Sequence, residues 1–122
     1  MGVWTPGPGP TTGDDTFVGD GTNEIADGGA GNDTLGGGAG DDTLIGGDGD
    51  DALDGGANTD TASYSGASAG VTVSLLLQGS AQNTVGAGND TLSNFENLTG
   101  SSSADTLTGN DSANVLSGAG GT

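Results

Sequence analysis

Residues 28–56 read GGAGNDTLGGGAGDDTLIGGDGDDALDGG, and this stretch decides the fold. Glycine and acid dominate it, and a lone leucine returns at Leu35, Leu44 and Leu53, nine residues apart each time. Glycine loses more conformational freedom on ordering than any other residue, and clustered carboxylates repel one another. A chain that holds both in a fixed register has a use for bare backbone and negative charge at set points.

Cut in nines from Pro10, the chain reads PTTGDDTFV, GDGTNEIAD, GGAGNDTLG, GGAGDDTLI, GGDGDDALD and GGANTDTAS, ending at Ser63. The sixth position is acidic in every unit: Asp15, Glu24, Asp33, Asp42, Asp51 and Asp60. The eighth is apolar in every unit: Phe17, Ala26, Leu35, Leu44, Leu53 and Ala62. The period lapses over residues 64–84, where Val71, Val73, Leu75 and Leu77 recur at every second position and predict a half-buried core strand. It returns in VGAGNDTLS, which keeps Asp90 with Leu92. After NFENLT come GSSSADTLT and GNDSANVLS, with Asp105 before Leu107 and Asn114 before Leu116 but without the interior glycines.

The chain therefore divides into four parts. Residues 1–9 read as a Pro/Gly-rich linker or tail, and 10–63 as regular repeats. Residues 64–84 form a strand-containing insertion, and 85–122 continue the array as degenerate repeats. The final GAGGT begins another unit, so the array is expected to run on into the remainder of a larger polypeptide.

Composition narrows the function. The 122 residues include 17 Asp plus Glu and no Lys, Arg or His, a formal charge of -17, so no ion pair can form between side chains. With 3% aromatic residues and 28 glycines a conventional close-packed core is not expected. Nucleic acid is excluded as a partner because no cation can replace phosphate counterions, and an anionic membrane surface is disfavoured for the same reason. Membrane insertion is not expected, since the longest apolar run is Leu75-Leu76-Leu77. Met1–Pro10 has neither the basic start nor the apolar middle of a signal peptide. Cysteine is absent, which removes disulfides and thiolate metal sites. With no His, Cys or Lys to serve as base or nucleophile, the chain is expected to be no enzyme.

Each nine-mer divides into a six-residue turn and a three-residue strand such as T-L-G. So short a strand is unstable alone, but strands about 4.8 Å apart pair along a ladder. If successive units lie on opposite sides of a flattened coil, two units make one turn of 18 residues. Position-eight residues then point inward, and carboxylates stack on each side: Asp15 beside Asp33, Asp33 beside Asp51, Glu24 beside Asp42, Asp42 beside Asp60. Carboxylates stacked in this way need a cation between them. A hard ion taking about 6–8 oxygens from carboxylates and backbone carbonyls is calcium. Magnesium demands stricter octahedral geometry, and zinc or copper would want the missing His or Cys.

GGAGNDTLG, GGAGDDTLI and GGDGDDALD resemble the G-G-x-G-x-D-x-U-x nonapeptide of the RTX (repeats-in-toxin) calcium-binding family, also known as hemolysin-type calcium-binding repeats. The resemblance is strong over 10–63 and loose over 85–122. It implies an all-β fold, a right-handed parallel β-roll or β-helix with calcium held between consecutive same-side turns. It also implies secretion from a Gram-negative bacterium by a one-step (type I) route, with folding induced by extracellular calcium. In the family, oxygens of positions one, three and five oppose positions two, four and six of the next same-side turn. Carried over, the ligands are Gly28, Gly29, Ala30, Gly31, Asn32 and Asp33; Gly37, Gly38, Ala39, Gly40, Asp41 and Asp42; and Gly46, Gly47, Asp48, Gly49, Asp50 and Asp51. To these are added Asp60, Asp15, Glu24 and Asp90. About four ions are expected. Asp90 is the candidate without an assigned partner, since Asp105 follows at 15 residues rather than 18. The two last units are expected to continue the coil with little or no calcium. The alternatives are an assembly module of a surface-layer or adhesin protein, joined end to end through open strand edges, and the repeat region of a secreted protease, lipase or epimerase. A permanently disordered acidic segment is the remaining contrast.

Overall fold

The computed structural model describes residues 3–5 and 12–118. β1 (Val3–Thr5) lies antiparallel to β2 (Thr16–Val18), with Trp4 opposite Phe17. Val3–Thr5 thus form a paired strand within the stretch read as a linker; the other residues of 1–9 lie outside those described. Then come β3 (Ile25–Asp27), β4 (Thr34–Gly36), β5 (Thr43–Ile45), β6 (Ala52–Asp54) and β7 (Thr61–Ser63). In each from β2 to β7 the middle residue is buried, because position eight faces inward; in β7 the position-nine residue, Ser63, is buried as well.

Successive strands go to opposite sheets. One sheet contains β2, β4 and β6 in parallel register, Phe17 against Leu35 and Leu35 against Leu53. The other contains β3, β5 and β7, with Ala26 against Leu44 and Leu44 against Ala62. Residues in contact along a column are 18 apart, as the repeat predicts. The backbone ladder continues out of each strand into the turn before it: Thr34 N donates to Asp15 O at 2.8 Å, and Ala52 N to Asp33 O at 2.8 Å. The expected all-β parallel coil is therefore the fold, with a thin apolar core between two sheets.

The insertion departs from the expectation. β8 (Thr72–Ser74) stops at Ser74, whose Oγ accepts from Leu76 N at 3.1 Å and winds Leu75–Leu77 into a 3-10 turn. Val71, Val73 and Leu75 are buried, but Leu77 is half exposed at 51%. The alternation was thus right for three residues and wrong for the fourth, because a serine cap outcompetes the strand.

Beyond it lie β9 (Ala81–Asn83), β10 (Asn89–Ser93), β11 (Asn97–Thr99), β12 (Thr106–Thr108) and β13 (Val115–Ser117). β10 rejoins the first sheet on β6, and β11 rejoins the second on β7, with Leu92 on Leu53 and Leu98 on Ala62. β9 then runs antiparallel to β10, while β8 takes β12 as a parallel partner. The gap between β9 and β8 is bridged by a side chain: Ser74 N donates to Gln82 Oε1 at 2.8 Å, and Gln82 Nε2 donates to Ser74 O at 3.0 Å. Gln78 does the same for Phe95, accepting at 2.8 Å and donating at 3.0 Å. Two glutamine amides thus stand in for peptide groups where strands cannot pair directly. Tyr64, Val71, Leu75 and Phe95 extend the core here.

A core one side chain deep depends heavily on each residue in it. Leu44 is wholly buried, and Leu44→Ala should cost about 2–5 kcal/mol in denaturant unfolding of the calcium-saturated protein. Leu76→Ala, at a residue 64% exposed, should stay within about 0.5 kcal/mol.

Candidate metal centre

The glycines of each turn serve two separate ends. Position two takes a left-handed backbone, with φ of 87° at Gly29, 90° at Gly38 and 93° at Gly47. Position four does likewise, at 111° in Gly31, 105° in Gly40 and 116° in Gly49. Position one is needed for space: a Cβ on Gly28, Gly37 or Gly46 would run into Oδ2 of the position-six aspartate of its own turn. Asn58 replaces the position-four glycine in the last regular unit, and it too is left-handed, at φ 79°. Its Oδ1 accepts from Gly40 N at 3.1 Å.

The position-six carboxylates form two columns. On the edge leading into the first sheet, Asp15 N donates to Asp33 Oδ1 and Asp33 N to Asp51 Oδ1, both at 2.8 Å. On the other edge Glu24 N donates to Asp42 Oδ1 and Asp42 N to Asp60 Oδ1, again at 2.8 Å. The expected neighbours are therefore brought together. Asp15, Asp33, Asp42, Asp51 and Asp60 are buried, and Glu24 is half-buried.

Both columns run on, one to Asp90, whose partner the spacing left unassigned, and the other to Glu96, which the repeat did not name. Asp51 N donates to Asp90 Oδ1 at 2.9 Å across 39 residues, so Asp51 is the same-side partner that spacing could not find. Asp60 N donates to Glu96 Oε1 at 2.8 Å across 36 residues. Glu96 was missed because NFENLT is too short for a nonapeptide turn. Its signal was present all the same: an acid two residues before an inward Leu98, as Asp33 stands before Leu35. Asp105, two before Leu107, accepts instead from Val71 N at 2.9 Å and Ser101 Oγ at 2.7 Å.

Position five behaves differently. Asn32 N donates to Asp14 Oδ1 at 2.8 Å, Asp50 N to Asn32 Oδ1 at 2.9 Å and Asp41 N to Asn23 Oδ1 at 2.8 Å. These exposed side chains make an outer ladder. At position three the side chains of Ala30, Ala39 and Asp48 are also exposed. Ala30 and Asp48 face one another through backbone, and Asp48 N reaches Gly29 O at 3.0 Å.

What the columns lack is a partner for the second oxygen. Oδ2 of Asp33, Asp42, Asp51 and Asp60 is buried with no hydrogen bond, as is Oδ2 of Asp105. Leaving a charged acceptor buried and unsatisfied is costly, and the chain has no Lys, Arg or His to supply a donor. A cation from solution is a partner of suitable chemistry. Among the described residues no three acidic side chains converge to hold a single ion, so carbonyl oxygens must complete any coordination shell. That donor set, part carboxylate and part carbonyl, fits calcium, which accepts irregular all-oxygen shells.

The electrostatics follow. Burial raises Asp33 and Asp42 above the ordinary carboxylate range; it pushes Asp51 up to about 7 and Asp60 to about 6, with neighbouring carboxylates adding to the rise. Carboxyls raised in the fold favour the ion-free fold below their unfolded values, and that contribution is lost as pH rises through 6 to 7. Calcium needs the same groups deprotonated, so its affinity should fall as pH drops through this window. Calorimetric titrations in buffers of different ionisation heat should show more protons released per calcium at pH 6 than at pH 8. Equal release at both would contradict these shifts. A steric test is independent of pH. Gly28→Ala puts a methyl against Asp33 Oδ2, whereas a Cβ at Gly36 meets only Phe17 O at 3.8 Å. Gly28→Ala should weaken calcium uptake about tenfold or more and Gly36→Ala should leave it unchanged.

Among the described residues no helix is long and apolar enough to cross a membrane. Neither a curated protein nor a solved structure matches the chain. The family profile of the RTX calcium-binding nonapeptide repeat matches it in 4 copies, over residues 11–35, 27–62 and 93–122, more than half of its length. Stacked turns, paired carboxylates and sequence profile coincide, and the chain belongs to the RTX calcium-binding nonapeptide repeat family.

Proposed function

We propose that this chain is the calcium-binding module of a larger secreted or cell-surface bacterial protein, folding when it meets calcium outside the cell. The observation that carries the reading is the buried, partnerless Oδ2 of Asp33, Asp42, Asp51 and Asp60 in a chain without one cationic side chain. About four ions, two on each edge, lie between Asp15 and Asp33, Asp33 and Asp51, Glu24 and Asp42, and Asp42 and Asp60. Each brings two positive charges to a chain of formal charge -17. Binding free energy is then folding free energy. Inside the cell, where free calcium is scarce, the chain stays expanded by its own charge and passes through a type I secretion route. The acids well placed for chemistry face the ions, so the module is non-catalytic, whatever activity the rest of the polypeptide carries.

End-to-end assembly is the second reading. Leu116 occupies an inward position in register with Leu98, yet it is 42% exposed on β13. That apolar edge calls for a further coil, from the same polypeptide or from a second copy. Circular dichroism with and without millimolar calcium, followed by sedimentation of the same samples, tests both. The β signal should appear only with calcium, and an unchanged spectrum would sink the main reading. A calcium-loaded species that stays monomeric would remove the second.

A further inference from the structure

Gly86–Asp90 reads G-A-G-N-D, the sequence of an ion-binding turn, and Asp90 stands in the first column above Asp51. There the likeness to the other turns ends. In Asp33, Asp42, Asp51 and Asp60 the second carboxylate oxygen is buried without a partner. In Asp90 it accepts the phenolic hydrogen of Tyr64 at 3.0 Å, and both residues are buried. The carbonyl of Gly88, at position four of the same turn, is also taken. Thr84 N donates to it at 2.9 Å and Thr84 Oγ1 at 2.7 Å, and Thr84 is itself wholly buried.

Two further features set this turn apart. Position one, a buried glycine beneath the aspartate in the regular turns, is here Val85, which swings outward at φ 72° and is 71% exposed. On the far side of β10 the antiparallel β9 sets Gln82 opposite Asp90, where a regular coil would bring another acidic turn.

We propose that Tyr64 and Thr84, supplied by the insertion, do for turn 85–90 what calcium does for the others, closing the carboxylate column with a cap that needs no ion. Asp90 then leaves the ligand set expected from its sequence. The insertion acquires a role: it ends the ion ladder on one edge while the coil continues. The proposal rests on the calcium reading of the regular turns.

Titration calorimetry with calcium on the full chain and its Asp33→Asn, Asp90→Asn and Tyr64→Phe variants decides it, together with thermal melts at saturating calcium. Asp33→Asn should lower the number of ions bound. Asp90→Asn should leave that number unchanged and affinity within about twofold. Tyr64→Phe, which keeps the ring and loses the hydroxyl, should bind the same number of ions but melt about 5 °C lower or more, because a buried carboxylate oxygen loses its donor. An Asp90→Asn chain that loses an ion as Asp33→Asn does overturns the cap, and so does a Tyr64→Phe chain that melts with the parent. A parent chain that takes up no calcium overturns the calcium reading and the cap with it; a parent that binds while Asp90→Asn loses an ion overturns the cap alone.

Discussion

Everything in this fold turns on carboxylates that are buried, stacked and given no cation by the chain. An amide N–H from the neighbouring turn satisfies Oδ1 of Asp33, Asp42, Asp51 and Asp60. Nothing satisfies Oδ2. Half of each group's demand is thus met by the ladder that stacks the coils, and the other half is left to solution. On the proposed reading, proton and calcium compete for that second half. The raised values at Asp51 and Asp60 and the affinity for a divalent ion are two expressions of one unmet charge. On that proposed reading, a column given neither repels itself.

The turn chemistry serves the same constraint. Left-handed backbone at positions two and four folds six residues into a tight loop, and the bare Cα at position one leaves room for the oxygen above it. Asn58 separates these requirements. Asparagine tolerates the left-handed region, so position four can be surrendered to it and even gains a hydrogen bond to Gly40. At Gly28, Gly37 and Gly46 position one allows no such exchange while the aspartate keeps its place, because a Cβ there meets the carboxylate oxygen; Val85 occupies the same position in turn 85–90 only by turning outward. The glycines that look alike in the sequence are thus held by different forces.

The regular part of the chain was legible because its signals are local and repeated. An acid at position six and an apolar residue at position eight fix the side of the coil, the register of 18 and the inward face together. The insertion was not legible, because its registers of 39 and 36 depend on where a long excursion returns, which no local pattern records. Glu96 shows the intermediate case. It follows the rule of an acid two residues before an inward leucine, but the shortened turn hides it from a nine-residue template. Gln78 and Gln82 carried no signal at all, since a glutamine that imitates a peptide group looks like any polar residue in a loop. Asp90 is the reverse: Gly86–Asp90 has the sequence of a ligand turn, and the bond that occupies its second oxygen comes from Tyr64, 26 residues away.

The chain therefore treats the same side chain in two ways. In the regular coils burial outweighs the single amide bond, and Asp33 and Asp42 are pushed upward. At Asp105 burial also pushes upward, but the bonds from Val71 N and from Ser101 together outweigh it, and the group falls below its ordinary value. At Asp105, donors from the protein thus hold the carboxylate charged, an amide from the insertion and a hydroxyl from its own degenerate unit. The glycine-rich turns hold no hydroxyl placed as Ser101 is against Asp105, and the second oxygens of Asp33, Asp42, Asp51 and Asp60 go without a donor. On the proposed reading, a unit that trades its interior glycines for serine and asparagine, as residues 100–114 do, moves away from calcium by the same step that fills its turn.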